Sequence, residues 1–187
     1  MLISQKIGEQ TRQTDFFRVC ESCPIRCCSN ARPPVTSRRI EIVQEYLKIN
    51  HILVEKPFEK NVYSFPRETE EKCCIFLDKN TKMCRIQPVK PETCIAGPIT
   101  FDINLETGRV EWFLKTEKIC PLAGALYRDK TMLIGHLDCA RKELLELVRD
   151  LDTEALRAIL KIEEPDTFKI GEDDLDASLL TKLKSSA

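Results

Sequence analysis

The nine residues 20–28, CESCPIRCC, contain four cysteines, and their spacing decides how the rest of the chain is interpreted. A C-x2-C turn is the shortest loop that directs two sulfur atoms toward one centre, and Cys20, Cys23 and Cys27 meet that need of a soft divalent ion or an iron–sulfur cluster. The side chains of Cys27 and Cys28, being adjacent, tend to point apart in an irregular segment. They suit two separate centres, or one ligand and one core position.

At least one more sulfur must come from elsewhere, and the candidates lie on segments punctuated by turns or prolines. They are Cys74, Cys84, Cys94 and Cys120. With the first four they make eight thiols in or beside turns, where irregular backbone can direct them to a common point. The pattern predicts either two four-thiolate sites or one cluster with some thiols left free.

Ten cysteines among 187 residues would also suit a disulfide-bonded secreted protein. The first residues, however, lack a continuous apolar signal sequence, and no run approaches the roughly 20 apolar residues of a membrane helix. We therefore expect a cytoplasmic protein without direct membrane insertion. Because the cytosol keeps thiols reduced, clustered cysteines there favour metal binding or redox chemistry, and disulfides are the remaining alternative.

The charge and glycine content argue against several other functions. The net charge of -1 lacks the basic surplus that binds phosphate backbones, so we expect no nucleic-acid partner. The six glycines form no G-x-G-x-x-G or P-loop pattern, which leaves a nucleotide or methyl-donor crevice without support. A binding protein is therefore favoured over an enzyme.

Hydrophobic periodicity predicts an α+β fold: a small, irregular cysteine-rich metal-binding domain with short antiparallel hairpins and a C-terminal helical pair. The predicted elements are a helix capped by Thr36 or Ser37 and ending near Ile49, two short strands within 51–65, a hairpin over 74–86, a hairpin over 99–114, a helix through 132–148 and a helix from Asp152 to about Glu163.

The same patterns suggest four parts of the chain. Residues 1–15 form an N-terminal arm, residues 16–124 the cysteine-cluster domain, and residues 125–165 the helical pair. Residues 166–187, acidic and then basic, are predicted to be a solvated tail, with a docking segment for a partner as the alternative.

Five pieces of the sequence, taken in order, resemble the YkgJ-like CxxCxxCC cysteine-cluster family. They are 17–28, Val35–Ile40, Cys74–Leu77 with Cys84–Ile86, Lys90–Cys94 and Cys120–Leu122. The resemblance covers about residues 16–124. It implies a zinc- or iron-chelating domain, with a 4Fe-4S-type iron–sulfur cluster or zinc as the bound group, and it implies these metal ligands: Cys20, Cys23, Cys27, Cys28, Cys74, Cys84, Cys94 and Cys120.

The functional expectation is a metal-chelating module that responds to oxidants or oxygen and docks on a larger protein complex through its C-terminal helices and tail. The resembled family includes flagellin lysine N-methylases, so a component of, or accessory to, a protein lysine methyltransferase is the alternative. Lys90 and Arg85 lie between cysteines and are expected to offset thiolate charge. Cys73, Cys139 and His136 are interpreted as packing residues rather than ligands.

Overall fold

The structure, a computed structural model, describes residues 19, 20, 23, 27–164 and 166–184. That part of the chain contains six α-helices and five β-strands, which confirms the α+β class. In chain order they are α1 (Ser37–Ile49), β1 (Phe58–Lys60), β2 (Ser64–Pro66), α2 (Glu92–Ala96), β3 (Ile99–Asn104), β4 (Arg109–Lys115), α3 (Pro121–Arg128), α4 (Lys130–Asp150), α5 (Thr153–Leu160), β5 (Thr167–Asp174) and α6 (Ala177–Lys184). The predicted N-terminal arm lies outside the described residues.

Helix α1 begins at its predicted cap and covers a small core. The Thr36 side chain accepts a hydrogen bond of 3.1 Å from the backbone N–H of Arg39, which satisfies one of the unpaired donors of the first turn. Four fully or nearly fully buried side chains form what we call the smaller core: Val43, Leu47, Phe76 and Ile86. The apolar stripe predicted for α1 therefore packs on the two turns that carry Cys74 and Cys84.

The predicted hairpin over 74–86 is present but very short. One antiparallel bridge, between Leu77 and Cys84, joins its two sides, with main-chain hydrogen bonds from Arg85 to Phe76 and from Asp78 to Met83 on either side of it. Since Phe76 and Ile86 are both drawn into the smaller core, the backbone bends after each cysteine rather than staying extended.

A three-stranded antiparallel sheet with order β3-β4-β5 forms the base of the larger core. The predicted hairpin over 99–114 is confirmed: Ile99 pairs with Leu114 and Ile103 with Val110, and the strands are joined by a turn in which Gly108 has a φ of 68°. That left-handed backbone is one that glycine adopts without a side-chain clash. Val110, Trp112 and Leu114 are buried on one face of β4, as the alternation predicts.

Helices α3 to α6 complete the larger core. Helix α4 carries the predicted apolar face, with Leu137, Ala140, Leu144, Leu147 and Val148 buried. Asp152 caps α5 through a hydrogen bond of 2.8 Å from the backbone N–H of Ala155, again as predicted. In the described part of the chain, no helix is both long enough and apolar enough to span a membrane.

The prediction of a solvated tail over 166–187 is wrong for the described residues of that segment. Residues 167–174 form β5, which pairs with β4, and Asp173 accepts hydrogen bonds from the Trp112 indole at 2.6 Å and from Arg141 at 2.7 Å. Leu175, Leu179 and Leu183 are buried. Leu179 and Leu183, four residues apart, lie on one face of α6, and the charged residues around them conceal that face from a reading of composition alone.

Candidate metal centre

All eight predicted ligands lie among the described residues, at positions fixed by quite different local structures. Cys20 and Cys23 belong to one turn, in which the Cys23 N–H donates to the Cys20 carbonyl oxygen at 3.3 Å. Cys20 and Cys27 are exposed, and the other six are partly buried. The first motif is therefore the part of the site that solvent reaches most easily.

Backbone pairing brings the second half of that motif to the Cys74 turn. The Cys74 N–H donates to the Cys28 carbonyl oxygen at 2.7 Å, and Ser29 bridges Cys73 in antiparallel fashion. Residues far apart in the sequence are thus fixed side by side by main-chain hydrogen bonds.

Cys74 and Cys84 occupy two turns of the same design. The backbone N–H of Phe76 forms a hydrogen bond to the Cys74 sulfur, and the N–H of Ile86 does the same for Cys84. Such donors stabilise a thiolate over a thiol. Burial nevertheless dominates: it raises the pKa of Cys74 to about 11 and also raises the pKa of Cys84.

Cys94 and Cys120 lie on helices rather than turns. Cys94 lies in α2, and burial raises the pKa of its thiol. Cys120 is the N-cap residue of α3, although its side chain makes no capping hydrogen bond, and the nearby backbone N–H groups of Ala123 and Leu122 act to lower the pKa of its thiol. Burial still raises the Cys120 pKa, because these donors compensate only part of the lost hydration.

Cys27 is the thiol to which the others are coupled. Six cysteine thiols interact electrostatically with it: Cys20, Cys28, Cys74, Cys84, Cys94 and Cys120. A hydrogen bond from Cys28, helped by the nearby positive charge of Lys90, lowers the pKa of Cys27 to about 6, and the same hydrogen bond raises the pKa of Cys28. Cys27 is therefore the more acidic thiol of this adjacent pair.

Cys27 affects the pKa values of thiols in two sets, and the remaining electrostatic interactions between these thiols fall within one set or the other. Cys20, Cys23 and Cys120 interact with one another, and with Cys27 they are called the Cys120 group. Cys28, Cys74, Cys84 and Cys94 interact among themselves and are called the Cys94 group. The expectation that the adjacent Cys27 and Cys28 serve two centres, or one ligand and one core position, stays a prediction.

Lys90 is the cation that the two groups have in common. Its charge acts on Cys20 and Cys27 in the first group and on Cys84 and Cys94 in the second. In each case it favours the thiolate, which agrees with the charge-offsetting role expected from its position in the sequence.

The donor set fits a soft metal, although the sulfur atoms are not yet at ligand distance from one another. Within residues 19–20, 23, 27–164 and 166–184, no three His, Cys, Asp or Glu side chains stand close enough together to hold a metal ion. Metal binding therefore requires the sulfurs of a group to rotate toward a common point. Clustered thiols, with N–H groups directed at their sulfur atoms, have the chemistry that zinc or an iron–sulfur cluster needs.

The three residues interpreted as packing positions behave differently. Cys73 lies 3.6 Å from the Ser29 hydroxyl and donates to the Glu71 carbonyl oxygen at 3.7 Å. Cys139 is exposed on α4, so the expectation of a buried packing position is wrong for its side chain. His136 contacts the end of α2 through its Nε2 atom.

Sequence reasoning missed one buried charge beside the site, that of Glu92. Its side chain is only 2% exposed, accepts a hydrogen bond of 2.6 Å from the Thr36 hydroxyl and lies 3.6 Å from Nε of Arg39. A glutamate in the first turn of a helix is ordinarily explained by the helix dipole, and so the pattern gave no sign of burial. The one signal in the sequence is its place inside the segment Lys90–Cys94.

Comparison with known proteins gives one family and one curated relative. The model of the CxxCxxCC family, whose description ascribes zinc or iron chelation to the domain, matches residues 19–121, more than half of the chain. An uncharacterized protein of Methanocaldococcus jannaschii is 32% identical over 103 residues, which are 51% of this chain and 54% of the relative. The chain thus spans about half the length of that relative. No solved structure matches the chain.

Proposed function

This chain belongs to the CxxCxxCC family of zinc- or iron-chelating domains, and from that premise we propose that it is an oxidant-responsive metal-binding module that docks on a larger protein complex. The proposal is supported most by the family match over residues 19–121, together with the main-chain pairing that sets Cys28 beside Cys74 and Cys84 opposite Leu77. Thiolates gathered in this way repel one another unless a cation lies among them.

Two centres of four thiolates each follow from the grouping. Cys20, Cys23, Cys27 and Cys120 would hold one metal centre, and Cys28, Cys74, Cys84 and Cys94 the other. Zinc would cross-link the segments, whereas an iron–sulfur cluster would add one-electron chemistry. The protein supplies the thiolates, the N–H groups that stabilise them and the positive charge of Lys90.

The test is metal analysis and visible absorption of protein purified without air. Iron with broad visible charge-transfer absorption supports the iron–sulfur form, and zinc in a colourless protein supports the structural form. Cys74→Ser and Cys120→Ser should each remove one centre, while Cys139→Ser, outside both groups, should keep the metal content of the wild type. Wild-type protein without stoichiometric iron or zinc would overturn the proposal.

Oxidant response is supported by the exposure of Cys20 and Cys27, since the oxidation of a thiolate follows its accessibility and its charge. Titration with peroxide should release metal in proportion to sulfur oxidation, and a thiol reductant plus metal should restore the bound form. Metal that stays bound while Cys20 becomes oxidised would contradict this part of the proposal.

Docking through the C-terminal helices is supported by large apolar side chains that the fold leaves exposed. Ile134 on α4 is 61% exposed and Ile162, after α5, is 51% exposed. Deleting 166–187 is unsuitable as a test, because it removes β5 and α6. Ile134→Asp should abolish capture of a partner in a pull-down, whereas Ile49→Asp, at a position 65% exposed on α1, should not. Equal capture by both variants would exclude α4 as the contact.

A further inference from the structure

Helix α2 carries Cys94 but is too short to hold its own position. It has five residues, Glu92–Ala96, and an isolated helix of that length is unstable in water because nucleation costs more than so few hydrogen bonds return. The orientation of Cys94 must therefore come from contacts that α2 makes with its neighbours.

The first contact is at the N-terminal end of α2. The Glu92 carboxylate accepts the Thr36 hydroxyl at 2.6 Å through Oε1, and the Arg39 guanidinium lies 3.6 Å from the same oxygen. Arg39 also pairs with Glu143 on α4, so a partly buried chain of charges joins α1, α2 and α4. Cys94 is two residues beyond Glu92.

The second contact is at the C-terminal end of α2. His136 of α4 places its Nε2 atom 3.0 Å from the carbonyl oxygens of Ala96 and of Gly97. Because both partners are acceptors, Nε2 must carry a proton and donate. The last carbonyl groups of a helix have no partner within it, and His136 satisfies two of them.

Two buried polar atoms next to Cys94 remain without partners. Glu92 Oε2 and Thr93 Oγ1 are both enclosed and make no hydrogen bond within the described structure. Burying such atoms without hydrogen bonds costs free energy. The conformation of α2 is therefore held by contacts with its neighbours rather than by interactions within the helix itself.

We infer that Glu92 and His136 are positioning residues that clamp α2 at both ends, so that the backbone of Cys94 is held where its sulfur can turn toward the other thiols of the Cys94 group. The inference rests on the proposed function and adds to it two residues that never touch the metal. Partners of this kind, one step removed from the ligands, commonly alter metal affinity by about 10–100-fold.

The experiment follows the loss of iron or zinc, as present in the protein purified without air, during challenge with EDTA. Glu92→Leu and His136→Leu remove the two contacts. His136→Gln keeps an N–H donor near the position of Nε2. Glu143→Leu is the matched control, because it severs the other arm of Arg39 without touching α2. Denaturant unfolding of each variant measures overall stability separately, and Cys94→Ser defines complete loss of the ligand.

The metal missing from Cys94→Ser is the metal that depends on Cys94. Glu92→Leu and His136→Leu should each release that metal at least about tenfold faster than the wild type does. His136→Gln and Glu143→Leu should release it at the wild-type rate, whatever their stability. Release that simply follows stability, with Glu143→Leu as fast as Glu92→Leu, would overturn the clamp and leave only a structural role.

Two further outcomes distinguish a failure of the clamp from a failure of the proposed function. If Glu92→Leu does not fold, Glu92→Gln replaces it: loss of the charge facing Arg39 must still speed release, and an unchanged rate overturns the role of Glu92. A wild type that carries metal, with variants that retain it equally, defeats the clamp alone. A wild type without metal defeats the proposed function first.

Discussion

Cys120 and the pair Cys74 and Cys84 are supported by very unequal parts of the fold. Cys120 is the N-cap residue of a helix that packs on the larger core, in which twenty buried residues join the sheet to α2–α6. Cys74 and Cys84 lie on irregular turns over the smaller core, which has four buried residues. Four buried side chains are too few to hold a segment folded alone, so the Cys74 and Cys84 turns must depend on bound metal far more than Cys120 does. Cys94 is intermediate, because α2 packs on the larger core through Ala96.

The largest effect should come from removing the metal. After anaerobic chelation, amide hydrogen exchange should show lost protection in α1 and in residues 67–86, while β4 and α4 stay protected, because only the smaller core relies on metal cross-links. Protein with an intact metal content is the control. Uniform loss of protection throughout the chain, or none, would erase the difference between the two regions.

The next largest effect should come from a cavity created in each core, which distinguishes the two cores by their effect on metal content. Phe76→Ala should cost about 3–5 kcal/mol and Leu147→Ala about 2–5 kcal/mol in the free energy of unfolding, since each empties a fully buried site. Metal content should fall only in Phe76→Ala, because Phe76 anchors the Cys74 turn. Denaturant titration and elemental analysis of both variants measure this, and equal metal loss from Leu147→Ala would show that the cores are one unit.

Removing one helix cap in each region sharpens the comparison on a smaller scale. Thr36→Ala and Asp152→Ala should each destabilise the protein by about 1 kcal/mol in thermal or denaturant unfolding. Only Thr36→Ala should also speed the release of metal to a chelator, because Thr36 donates to Glu92 as well as capping α1. The opposite ranking of release rates would argue that α1 does not support the Cys94 group.

The smallest effect on stability is expected from two lysines in different surroundings. Lys169 pairs with Glu111 and Glu172 on the exposed face of the sheet, so Lys169→Met should leave both melting temperature and metal retention unchanged. Lys90→Met should likewise leave the melting temperature of the larger core unchanged but weaken metal retention, since Lys90 faces thiols of both groups. Equal metal retention in the two variants would show that Lys90 does not support metal binding.

Periodicity was sufficient to predict the elements whose apolar residues repeat clearly. The α1 cap, the β3–β4 hairpin and the apolar face of α4 are all where the pattern puts them. It failed for β5, where Lys169, Glu172 and Asp174 point into solvent and Gly171 interrupts the strand pattern. That strand is held by pairing with β4 and by Asp173, and neither contact can be deduced from local sequence.

The eight thiols were predicted individually, but their division was not. Adjacency along the chain predicts that the Cys27 and Cys28 side chains point apart, yet a hydrogen bond joins them. The other partners of each depend on which turns the fold brings next to them. Cys28 lies beside Cys74 because main-chain hydrogen bonds pair residues 28–30 with residues 72–74, and no spacing rule contains that pairing. The buried position of Glu92 is hidden for the same reason, since it depends on a helix more than fifty residues earlier.

The pairing of β5 with β4 has a consequence for synthesis of the protein. Every cysteine of both groups precedes residue 121, whereas the strand that completes the sheet begins at Thr167. A growing chain therefore presents all eight thiols before its larger hydrophobic core is able to close. If a metal ion reaches the thiols first during that interval on the ribosome, the metal-bound protein forms. If an oxidant reaches them first, the protein with oxidised thiols forms.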